Sequence, residues 1–85
     1  METKMKLYHL TGCPYCAKAI AKIDTLGIRN QIDFVEVPRP HGERTELAKI
    51  AGGIVGVPTL VDGNTLIADD DDKIIAYLDE KFGTK

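Results

Sequence analysis

The sequence predicts an α/β fold in the order β-α-β-α-β-β-α, with a four-stranded mixed sheet flanked by helices. Three observations carry this. Short runs of strand formers occur at residues 6–10, 32–37, 57–61 and 65–67. Segments between and after them repeat their apolar residues at helical spacing. Glycine, proline and an Asp-Gly pair stand at the joints.

The elements follow in order. Lys6-Leu7-Tyr8-His9-Leu10 is a strand ended by Thr11-Gly12. From Pro14 onward, Cys16, Ile20, Ile23 and Leu26 recur at helical spacing, Lys18 and Lys22 point elsewhere, and Gly27 stops the helix. Residues 32–37 alternate as a second strand, broken by Pro38-Arg39-Pro40-His41-Gly42. Residues 43–51 form a short helix with Leu47 and Ile50 on one side, ended by Gly52-Gly53. Residues 57–61, Asp62-Gly63-Asn64 and residues 65–67 read as strand, turn, strand, because glycine tolerates the positive φ of a tight hairpin. The acidic run 69–72 precedes Ile74, Ile75, Tyr77, Leu78 and Phe82 and suits a helix N-terminus, where carboxylates cap open N–H groups and meet the positive dipole end. Lys81 and Lys85 stand at the opposite end, where cations are favoured. The right-handed crossover rule makes the first two strands parallel neighbours, and helices must cover both sheet faces to bury them.

Composition narrows the function. The 85 residues make one small domain, 1–85, and a monomer is expected. The net charge is −2, and no basic block marks nucleic acid as a partner. No apolar stretch reaches membrane-spanning length. The segment METKMKLYHL lacks the apolar core of a signal peptide, so a cytoplasmic location is expected. In a reducing cytosol the two cysteines, Cys13 and Cys16, are catalytic or metal-binding rather than a structural disulfide. A zinc site lacks its other ligands, since there is a single CxxC and His9 and His41 have no metal-ligand spacing; no metal is expected.

A thiolate, not a thiol, attacks a disulfide. Cys13 falls at the N-cap or first position of the helix, where the N–H groups of Tyr15 and Cys16 and the helix dipole stabilise a negative sulfur. Pro14 suits the first helical turn. Cys16 lies one turn on, within bridging reach and on the apolar stripe. Cys13 is therefore the candidate nucleophile and Cys16 the resolving thiol. The plain alternative is two inert buried thiols; a CxxC that follows a strand and opens a helix in a βαβ unit favours redox chemistry. Val57-Pro58 is the second clue. A cis bond there would leave the Val57 backbone open to pair with an extended thiol, while a trans bond would merely mark a loop end.

The stretches LTGCPYC (10–16), GVPTLVDG (56–63) and IADDDDKIIAYL (67–78) resemble a dithiol glutaredoxin over nearly the whole chain. They imply membership of the thioredoxin superfamily and a thioredoxin-like fold. The tail is also similar to the N-terminal domain of glutathione S-transferases, and a complete transferase is not expected because no helical second domain follows. The resemblance implies glutathione-dependent reduction of protein disulfides or glutathione mixed disulfides, with glutathione as co-substrate and no bound cofactor. It implies that Cys13 forms the mixed disulfide, Tyr15 flanks it, Val57 pairs through its backbone with the cysteinyl part, and Pro58 is cis. Asp70 and Asp71 would hold the γ-glutamyl end, with Asp69 as the alternative in register. Leu10 stands where many glutaredoxins carry lysine, and residues 52–56 lack the usual basic residue before Val57-Pro58. That leaves the holder of the glycine carboxylate open among Lys18, Arg39, His41 and Arg44. The alternatives are a module that binds or carries glutathione or an iron–sulfur cluster, which Pro14 disfavours, and the same redox mechanism served by another thiol or reductase.

Overall fold

The computed structural model describes residues 5–83. Strand β1 (Met5–His9) leads to helix α1 (Pro14–Leu26) and, after a 3-10 turn at Arg29–Gln31, to β2 (Ile32–Glu36). A second 3-10 turn at His41–Glu43 precedes α2 (Thr45–Ile50), and the chain closes with β3 (Thr59–Asp62), β4 (Thr65–Ile67) and α3 (Asp71–Phe82). The sheet order is β2-β1-β3-β4. β1 and β2 run parallel, and β3 is antiparallel to both its neighbours. This is the expected four-stranded mixed sheet of a thioredoxin-like fold.

The sheet has two covered faces with separate cores. Leu7, Ala19, Ile23, Leu60, Ile74 and Leu78 are fully buried where α1 and α3 pack on one face. Each large aliphatic side chain so buried contributes about 1.5–3 kcal/mol. Tyr8, Val37, Leu47 and Ala51 form the core under α2 on the opposite face. Tyr77 and Lys81 both close on Asp62, tying the end of α3 to the end of β3.

Several boundaries differ from expectation for identifiable reasons. β1 spans Met5–His9, because Leu10 C=O turns to accept the Cys13 N–H at 3.1 Å and closes a turn. β2 stops at Glu36. Val57 and Pro58 precede β3 rather than begin it. The hairpin loop is Gly63-Asn64, since Asp62 still pairs with Thr65; Gly63 supplies the positive φ (60°) that a two-residue hairpin needs. Helix α2 is shorter than 43–51, so Leu47 is buried but Ile50, at the helix end, is exposed. Lys18 and Lys22 face α3, where Lys18 Nζ lies 2.9 Å from Asp71 Oδ2 and Lys22 Nζ lies 3.0 Å from Asp79 Oδ1. Lys81 sits in the last turn of α3 as expected; Lys85 lies outside the described residues.

Candidate active site

Strand directions gather the functional residues at one end of the sheet. β4 runs parallel to β1, so the C-terminal ends of β1, β2 and β4 and the N-terminal end of β3 lie together. The loops that emerge there touch one another. Thr11 lies between Glu36, whose Oε2 accepts its N–H at 3.4 Å, and Arg39, whose Nη2 donates to its carbonyl at 3.4 Å. Thr59, fully buried, donates its hydroxyl to Gly56 C=O at 2.9 Å and accepts the Asp69 N–H at 3.2 Å. One side chain therefore joins the loop before Pro58 to the acidic turn before α3.

Cys13 is the N-cap of α1, with extended backbone (φ −83°, ψ 118°), and Pro14 is the first helical residue. Its half-buried Sγ accepts the Cys16 N–H at 3.2 Å. The expected Tyr15 donor is not used: an N-cap side chain reaches the N–H of the second or third helical residue, and here it takes the third. Both thiols are free. Cys16 is 1% exposed. Burial pushes its thiol up to about 12, the hydrogen bond it gives to Cys13 adds to the rise, and the Leu10 backbone and the charge of Arg44 pull weakly the other way. The pair is thus divided into a reachable sulfur and an inaccessible, protonated one behind it. Tyr15, 58% exposed in the first turn of α1, flanks the reachable sulfur along the chain. His9 packs edge-on against Phe34, with ring centroids 5.9 Å apart.

The Val57–Pro58 bond is cis, and Pro58 is buried. Among the described residues the Val57 backbone N–H and C=O take no hydrogen-bond partner, which leaves an open edge for an extended ligand.

The acidic run is differentiated residue by residue. Asp70 is the N-cap of α3, its Oδ1 accepting the Lys73 N–H at 3.0 Å. Asp71 is held by Lys18, whose hydrogen-bonded ammonium keeps that carboxyl below the usual carboxylate range. Asp72 is a second, looser partner of Lys18 at 3.4 Å. Asp69 has a left-handed backbone (φ 54°) and lays its carboxylate over Gly56, where an added Cβ would come 2.2 Å from Asp69 Cγ.

The four basic candidates separate as sharply. Lys18 is engaged by the acidic turn. Arg44 is buried and bonded to carbonyls. His41 is exposed in the second 3-10 turn. Arg39 is exposed with its guanidinium beside the carbonyl of Thr11, two residues before Cys13. Sequence reasoning missed Thr59 and the stacking of Asp69 on Gly56. The one available cue was that a short aspartate tolerates the left-handed region better than most residues.

That stacking predicts a compensating pair. Gly56→Ala is expected to destabilise the chain by about 1–3 kcal/mol through overpacking against Asp69. Asp69→Gly removes both the clash and the left-handed cost, worth about 1 kcal/mol. Urea midpoints of the two single variants and the double variant check this. Most of the loss should disappear in the double variant, and strict additivity would show that the two residues are not coupled.

Comparison with known proteins agrees with this geometry. The family model described as the glutathione S-transferase N-terminal domain matches residues 7–85. Among solved structures, an epsilon-class glutathione S-transferase from the housefly Musca domestica is 26% identical, with a TM-score of 0.77 over 96% of this chain and 37% of its own. Glutathione transferase E6 from Drosophila melanogaster is 28% identical, with a TM-score of 0.77 over 96% of this chain and 36% of its own. An unclassified glutathione S-transferase from Bombyx mori is 25% identical, with a TM-score of 0.82 over 98% of this chain and 38% of its own. The chain thus spans little more than a third of these structures. A search of curated protein sequences finds no match. With the family model matched from the first strand to the last helix, on a sheet whose functional loops converge at one end, the chain belongs to the glutathione S-transferase N-terminal domain family, within the thioredoxin superfamily.

Proposed function

We propose that this chain is a glutathione-dependent thiol–disulfide oxidoreductase of glutaredoxin type. The observation that carries the reading is the half-buried Cys13 Sγ at a helix N-cap, accepting the Cys16 N–H at 3.2 Å, with the buried Cys16 thiol behind it. The N–H of Cys16 is thus aimed at the sulfur that makes the attack, while the second thiol is kept out of reach behind it.

Cys13 thiolate attacks the glutathione sulfur of a mixed disulfide. The S–S bond breaks, the substrate thiolate leaves and takes a proton, and a Cys13–glutathione disulfide remains. A glutathione thiolate from solution attacks the glutathione sulfur of that adduct, releasing oxidised glutathione and restoring Cys13, so that one glutathione thiol is oxidised for each substrate thiol released. With a protein disulfide, Cys13 thiolate attacks one sulfur, and the first substrate thiolate leaves and takes a proton. Cys16 then gives up its proton and attacks Cys13 Sγ, freeing the second substrate thiol and leaving a Cys13–Cys16 disulfide. Two glutathione thiols reduce that disulfide as they become oxidised glutathione.

In this reading the Val57 backbone edge pairs with the cysteinyl part of glutathione beside Pro58, and Tyr15 flanks the sulfur. Asp70 and Asp71, with Asp69 above Gly56, meet the γ-glutamyl end. Arg39 takes the glycine carboxylate, the role left open by Leu10. The chain works without a bound cofactor, in a reducing compartment such as the cytoplasm, on glutathione and disulfide-containing proteins.

Two assays on the purified chain test the proposal: reduction of a glutathione–peptide mixed disulfide, and conjugation of glutathione to an electrophile. Turnover in the first should exceed that with a cysteamine–peptide disulfide. Equal rates, or activity confined to conjugation, would reject it. Arg39→Ala should raise KM for the glutathione substrate about tenfold with kcat unchanged, the loss of one charge-assisted contact made equally in ground and transition states.

A further inference from the structure

Arg44 has the chemistry of a surface residue in the position of a core one. It is 4% exposed, and no carboxylate pairs with it among the described residues. Its guanidinium meets carbonyls instead: Nε donates to Pro38 C=O at 2.6 Å, Nη2 to Arg39 C=O at 3.0 Å and Nη1 to Val55 C=O at 2.7 Å. A buried cation without a counter-ion is costly, and its retention asks for a geometric reason. A planar fork holds its acceptors at fixed separation and angle, which a lysine or an apolar residue does not.

The acceptors identify what is being spaced. Pro38 and Arg39 belong to the loop after β2, and the Arg39 side chain reaches Thr11 beside the nucleophile. Val55 lies two residues before Val57, whose backbone edge is open. The loop 51–58 has few other hydrogen bonds: Ala51 N–H to Leu47 C=O, Gly53 N–H to Ala48 C=O, Ile54 N–H to Ala51 C=O, and the Thr59 hydroxyl to Gly56 C=O. Those bonds are local to the loop and its two ends. Among the loop's bonds, the one from Arg44 to Val55 is the one that ties it to the segment carrying Arg39.

We propose that Arg44 is a positioning residue that sets the distance between Arg39 and the Val57 backbone edge, and so fits the site to an extended peptide thiol with an anionic end rather than to a small thiol. The inference rests on the proposed glutathione chemistry and names the device that makes it selective. Arg44 touches no reacting atom; it acts through the two segments it bridges.

Arg44→Lys and Arg44→Met test it through three readouts. The first is KM and kcat for a glutathione–peptide disulfide. The second is the rate at which iodoacetamide alkylates Cys13, a reaction that needs no groove. The third is hydrogen exchange at the Gly53 and Ile54 amides, which are bonded to Ala48 C=O and Ala51 C=O in this loop. Misplacing one wall should raise KM about tenfold in Arg44→Lys and more in Arg44→Met, with kcat and the alkylation rate within about twofold of wild type. Exchange at both amides should quicken. An unchanged KM in a variant that melts like wild type overturns the proposal. So does a KM that rises only together with the alkylation rate and a lowered Tm, which marks a purely structural role. If the wild-type chain does not turn over glutathione substrates at all, the functional reading falls by itself. The strut is then judged by exchange at Gly53 and Ile54 in Arg44→Lys, where unaltered protection overturns it.

Discussion

Cys13→Ser should lower turnover of a glutathione mixed disulfide on the order of 10³-fold or more, to the uncatalysed rate, whereas Cys16→Ser should keep most of it. The asymmetry follows from burial and hydrogen bonding. Cys13 is half-buried at the N-cap, and its Sγ receives the Cys16 N–H. A serine hydroxyl would still cap the helix at this position, so the loss is chemical and the variant should melt close to wild type. Cys16 is almost fully enclosed, so an incoming disulfide cannot reach it. Its thiol is required only where Cys13 must be released from a protein rather than by a second glutathione. Protein disulfides should therefore separate the variants from the mixed-disulfide assay: Cys16→Ser should stall as a covalent Cys13–substrate adduct, visible as a mass shift. Activity surviving in Cys13→Ser, or equal losses in both variants with the mixed disulfide, would remove the assignment of roles.

The site was legible where chemistry is local in sequence and illegible where it is made by tertiary contact. Cys13-Pro14-Tyr15-Cys16 carries its own geometry: a proline that starts a helix fixes Cys13 as the cap and Cys16 as the third helical residue. Lys18 and Lys22 read as outward-facing because periodicity sees only their own helix, whereas their partners lie on α3, brought alongside by the sheet crossovers. The four aspartates 69–72 offer no internal contrast as a sequence. The fold gives three of them distinct tasks: Asp69 the left-handed turn over Gly56, Asp70 the cap, Asp71 the ion pair. Val57-Pro58 leaves its isomer open to a sequence reading, and the structure has the cis bond. Arg44 was visible as one cation among several. Its burial was not, because arginine is rarely enclosed and nothing around it in sequence marks the three carbonyls it meets.

The enclosed Cys16 thiol also makes the reduced protein sensitive to alkali in a defined window. Folding raises this thiol from an ordinary 9.0 to about 12, chiefly by burial and secondarily by the hydrogen bond it gives to Cys13. The sign follows from which state keeps the proton. Below pH 9 both states hold it, and its contribution to stability is fully present. Between 9 and 12 the unfolded chain ionises while the folded chain does not. The equilibrium then moves toward unfolding at about 1.4 kcal/mol per pH unit. Above about 12 both states are ionised and the contribution is gone, a ceiling of about 4 kcal/mol. Other groups titrate in this range, so the clean measurement is a difference. Urea unfolding under reducing conditions, for wild type and Cys16→Ala, should show wild type losing about 2 kcal/mol relative to the variant between about pH 8 and about pH 10.5. The variant will be less stable at the lower pH because it lacks a packed sulfur, but that offset does not change with pH. Parallel curves would mean that Cys16 ionises as readily in the folded chain as in the unfolded one. The division into a reachable nucleophile and a protonated partner would then lose its physical basis.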